Sequence, residues 1–182
     1  MTRDRLRVAA GASIAGILTG VVVGLVARVA MRFIALMTPE TPQFSLAGTA
    51  GILSTFGLMA CALAMIYAFV SYGYRRRPAR IWWALGGLGL LGSAIFLTPL
   101  RLEIAKGPPF VALFIPIGLL LGWMAASLGN ALWERLPEPV GVDASVGYVV
   151  LAIPGLLSLV GLPLLIVFGI LQLVGVIPVP AN

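Results

Sequence analysis

Five long apolar runs, separated by short tracts that hold nearly every ionised side chain, leave this chain few ways to fold. Residues 8–27, 44–72, 81–100, 110–133 and 145–179 contain no Asp, Glu, Lys or Arg. A helix needs about 20 apolar residues to cross a hydrocarbon layer about 30 Å thick, and each run supplies at least that many. Only 10% of the 182 residues are charged, against about 25% in a soluble domain. The mean hydropathy of +1.09 agrees. The pattern predicts an all-α, polytopic transmembrane helix bundle forming one integral membrane domain over residues 1–182.

The expected spans are 8–37, 44–72, 81–100, 110–133 and 155–177. The first pattern continues past residue 27 because nothing breaks it before Thr38 and Pro39. That makes a helix of about 45 Å, more than a bilayer core requires, so its far part must tilt or project. Arg3, Arg5 and Arg7 precede a run longer than a signal peptide's apolar region, with no small-residue cleavage site after it, which predicts a retained first span. The last run is long for one crossing, and Pro154 and Pro163 interrupt it. Residues 145–153 therefore either lie at the interface or form part of a kinked fifth helix.

Charge sets the expected orientation. The presumptive inner segments hold Arg3, Arg5, Arg7, Arg75, Arg76, Arg77, Arg80 and Arg135; the outer ones hold Arg28, Arg32, Arg101 and Lys106. By the positive-inside rule the amino terminus is inside and the carboxyl terminus outside. The expected location is the cytoplasmic membrane, multi-pass. Arginine is used almost to the exclusion of lysine beside much Ala, Gly and Pro, a composition that suggests a bacterial source.

Small residues recur every fourth position. Gly16, Gly20 and Gly24 lie on one slowly drifting helix ridge, which Arg28 and Arg32 then continue. Such rows let a second helix's backbone approach closely. Gly118, Gly122, Ala126 and Asn130 form another row, expected to pack a helix and to let Asn130 hydrogen-bond across it. Gly86, Gly89 and Gly92, at every third position, suggest a packing side on the third span; Ala60, Ala64 and Ala68 suggest one on the second.

Arg28 and Arg32 are the first candidates for chemistry. Two readings stand: they snorkel to lipid phosphates at the outer boundary, or they face the bundle and bind an anionic group. Under the second, the start of span two, with Ser45 as N-cap and Thr49 beside it, lies a short turn away, and Arg101 and Lys106 come from the next outer loop. Glu40 and Glu103 lie on the same side and offer internal ion pairs instead.

The absences narrow the function classes. With no histidine, one cysteine and acids only in loops or at span ends, the sequence offers no usual general base, metal set or mid-membrane carboxylate for ion-coupled transport. Cys61, within an apolar run, reads as a small core residue. No catalytic, metal or cofactor-binding residue is expected, and the net charge of +6 marks membrane topology, not nucleic acid. The leading expectation is a non-catalytic bundle that binds an anionic group, lipid headgroup or partner protein through Arg28 and Arg32. A small transporter or channel working as a homo-oligomer is the alternative, and an enzyme acting on a lipid phosphate stands behind both.

Overall fold

The computed structural model describes residues 3–37, 45–74, 80–97, 108–138 and 141–173. They form five α-helices: α1 Arg3–Met37, α2 Leu46–Tyr74, α3 Arg80–Leu97, α4 Pro108–Arg135 and α5 Val142–Leu173. No strand occurs among the described residues. Four helices are long and apolar enough to cross a membrane, over Asp4–Phe33, Leu46–Tyr72, Leu113–Arg135 and Ala144–Leu164, and α3 adds a shorter apolar stretch at Ile81–Gly92. Large apolar side chains stand exposed along the bundle, among them Leu25, Val29, Trp82, Val150, Leu157 and Leu164. In water such a surface would aggregate; against acyl chains it is what the surroundings demand.

Glycine decides which helices touch. A Cβ added at Gly16 would strike the backbone of Cys61, and one at Gly20 the backbone of Gly57, so α1 and α2 run backbone to backbone. Gly24 follows at a looser spacing, 3.0 Å from the end of the Leu53 side chain. As the position on α1 rises its partner on α2 falls, so the two helices are antiparallel. A second seam joins α3 to α4, where Gly87 lies against Gly118 and Gly122, and Gly122 against the carbonyl of Trp83. The expected Gly86, Gly89 and Gly92 row is not the packing side of α3. A Cβ at Gly86 would reach only the tip of Leu63 at 3.9 Å, and Gly89 and Gly92 meet nothing within 4 Å. The partner α4 lies on the side of Gly87, which a count by threes passes over.

The core follows from these close approaches. It is built largely of alanine: Ala9, Ala12, Ala15 and Ala27 on α1, Ala60, Ala64 and Ala68 on α2, Ala125 on α4 and Ala152 on α5 are all buried. Met65 and Leu121 are its largest fully buried side chains. Cys61 is a core residue too, its thiol donating to the Ser13 carbonyl at 3.7 Å.

The last helix corrects one expectation. Residues 145–153 are not a separate interfacial piece: α5 is one helix of 32 residues, with Pro154 and Pro163 inside it. Its apolar window opens at Ala144, so the crossing draws on those residues and not on a span beginning at 155. The physical reason lies in α1. Proline removes an N–H and displaces a carbonyl from the helix ladder, and Ser13 enters at that point. Its hydroxyl accepts from the Gly155 N–H at 3.1 Å and donates to the Ala152 carbonyl at 3.3 Å. A side chain at Gly155 would collide with that hydroxyl and with Met65 of α2. Helix α5 begins after Gly141, whose φ of +92° suits glycine. Tyr148 ties that beginning back to the end of α4 by donating to the Pro137 carbonyl at 2.7 Å.

Candidate functional site

Helix α1 carries the two candidate arginines out of the packed seam. Gly16 meets Cys61, Gly20 meets Gly57 and Gly24 meets Leu53. Two further steps of the same register set Arg28 level with Thr49 and Arg32 level with Ser45. The glycine ridge thus faces a helix, as its spacing predicts, and the guanidinium groups stand where it ends. Arg28 is half-buried there and Arg32 is exposed.

Arg28, Val29, Arg32, Phe33 and Leu36 line a shallow groove of about 350 Å³. All five belong to α1, at positions i, i+1, i+4, i+5 and i+8, which one helical face holds together. Val29, Phe33 and Leu36 are 57%, 59% and 64% exposed, so the apolar wall is open to whatever surrounds the bundle. The charged readings of the sequence found Arg28 and Arg32 and missed this apolar wall, although its spacing along the same face was available. Guanidinium groups bind phosphate or carboxylate oxygens with paired N–H donors. Beside an apolar wall, they suit an anion attached to a hydrocarbon.

Ser45 and Thr49 are not part of that lining. Ser45 caps α2: its hydroxyl accepts from the Gly48 N–H at 3.0 Å, and its carbonyl accepts from the Thr49 N–H at 3.1 Å. The Thr49 hydroxyl donates to the same carbonyl at 3.1 Å. Both side chains are engaged in starting the helix. The second helix accordingly begins at Leu46, with residue 44 outside the described residues. Arg101, Lys106, Glu40 and Glu103 also lie outside the described residues.

The packing candidates Gly16, Gly20, Gly118 and Gly122 all stand at helix contacts, and Ala126 is buried on the same row. Asn130 departs from its expected part. It is buried, but its amide oxygen has no hydrogen-bond partner, so it makes no bond across helices through that atom. Among the described residues no three of His, Cys, Asp and Glu stand close enough to hold a metal ion. No protein-family model, curated protein or solved structure matches the chain.

Proposed function

We propose that the chain is a multi-pass protein of the cytoplasmic membrane and that it holds an anionic lipid headgroup, without catalysis, in the groove of Arg28 and Arg32. In this reading the chain crosses five times, with its amino terminus inside and its carboxyl terminus outside. The 18 residues of α3 support the fifth crossing: they extend about 27 Å, close to the thickness of a hydrocarbon core. The count of arginines at the two sides supports the orientation.

One observation carries the ligand: two guanidinium groups and three exposed apolar side chains share a single groove on a single helix face. A phospholipid presents the matching pair, a phosphate and an acyl chain, in that order along the membrane normal. The glycine seam below the groove fixes α1 against α2, so the arginines are presented by a helix that does not need to reorganise when lipid arrives.

Native mass spectrometry of protein purified in mild detergent tests this. With phosphatidylglycerol and phosphatidylcholine supplied in equal amount, the native chain should retain the anionic lipid preferentially. Arg28→Ala with Arg32→Ala should lower that retention by about tenfold or more, since hydrogen bonds to charged groups contribute roughly 1.5–3 kcal/mol each. Equal retention by a double variant that elutes as the native protein does would overturn the reading.

A further inference from the structure

A second polar region stands at the opposite end of the bundle, where α1, α3 and α5 begin and α2 and α4 end. Among the described residues, seven buried side-chain polar atoms have no hydrogen-bond partner. Thr19 contributes one from the middle of α1. The other six are Arg7 Nε, Ser71 Oγ, Trp83 Nε1, Ser127 Oγ, Asn130 Oδ1 and Trp133 Nε1.

Contacts join these six into one belt. The rings of Tyr67 and Trp83 meet edge to face, 5.1 Å between centroids, and Ser71 lies one turn beyond Tyr67 on the same face of α2. Gly129, next to Asn130, faces the Tyr67 ring. Ser127, Asn130 and Trp133 follow at three-residue intervals along α4, about 9 Å of helix from first to last. Trp133 abuts Gly11, and Arg7 lies one turn before Gly11, 4.0 Å from Glu138 at the rim. Four helices therefore contribute to a single layer.

Unmet buried polar groups are rare in native proteins, and at membrane depth they are tolerated where they line water. Leaving all six dry would cost a sum comparable with the whole stability of a small domain. Their chemistry selects what meets them. The guanidinium N–H and the two indole N–H groups only donate, the amide oxygen only accepts, and the two hydroxyls do both. Water gives and accepts alike, and buried waters characteristically make about three such bonds each.

We propose that this end of the bundle encloses a hydrated vestibule, a binding site for a cluster of water molecules continuous with the solvent beside Arg7 and Glu138. It reaches inward to the level of Ser127. It stops short of Cys61 and Thr19, where the alanine core closes. The proposal rests on the belt alone and holds whether or not the distal arginine groove binds lipid.

Thiol accessibility tests it. In a Cys61→Ala background, Ser71→Cys, Ser127→Cys, Asn130→Cys and Thr19→Cys are made singly, and each protein in lipid nanodiscs is treated with a small charged methanethiosulfonate. Only the thiolate reacts, and a thiolate requires water. Cysteines at 71, 127 and 130 should react at least about tenfold faster than the one at 19, despite their burial. The two serine exchanges change one atom each, so they keep the test sound should Asn130→Cys fail to fold. Rates at 71 and 127 no faster than at 19 would overturn the vestibule. Reaction at 71 alone, nearest the helix end, would overturn its depth and with it the proposal.

Discussion

Between α3 and α4 the need for glycine is mutual, whereas between α1 and α2 it falls on one side. Gly87 and Gly122 each press on the other's backbone, so neither helix could carry a Cβ there. Gly20 presses equally closely on Gly57, yet a Cβ placed on Gly57 itself meets nothing within 4 Å. The two seams are alike in closeness and differ in where the Cα–Cβ bonds point. In the α1–α2 crossing the bond on α1 aims at its partner and the one on α2 aims past it. What a close helix contact demands of its residues depends on that direction as much as on separation.

Alanine substitution separates the two cases. Gly122→Ala should have the largest effect, a loss of about 3 kcal/mol or more, because the new methyl meets a carbonyl oxygen and the opposing seam offers no slack. Unfolding in mixed detergent micelles with rising denaturing detergent would measure it; a loss below about 1 kcal/mol would break the mutual half of the comparison. Gly20→Ala should destabilise by about 1–3 kcal/mol, somewhat less, because the open space beside Gly57 lets α2 shift. The same titration applies. Gly57→Ala should change stability by about 0.5 kcal/mol or less. If Gly57→Ala proved as harmful as Gly20→Ala, the one-sided half would fail.

Glycine spacing at 16, 20 and 24 was legible because a fourfold step on a helix has one geometric meaning. The third helix was not legible in the same way. Gly86, Gly87, Gly89 and Gly92 allow more than one face, and only the position of α4 selects Gly87. Proline at 154 likewise had two readings, since a missing N–H interrupts a helix unless a neighbour completes the site. Ser13, more than 130 residues away in sequence, is that neighbour. The arginines at 28 and 32 stood out as charges on an apolar helix, but the Val29, Phe33 and Leu36 wall did not, being ordinary in a chain so rich in hydrocarbon. Ser71, Ser127 and Asn130 are individually unexceptional; only burial without partners makes them a group.

The inset of Ser13 into α5 bears on how the molecule is made. A ribosome delivers α1 first and Gly155 nearly last, so the opening helix must wait through most of synthesis before its hydroxyl meets its two backbone partners. Until then α1 can settle on α2 through the glycine ridge, but the assembly stays unlatched along the flank that α5 will cover. Arrival of the final segment is what fastens the earliest one.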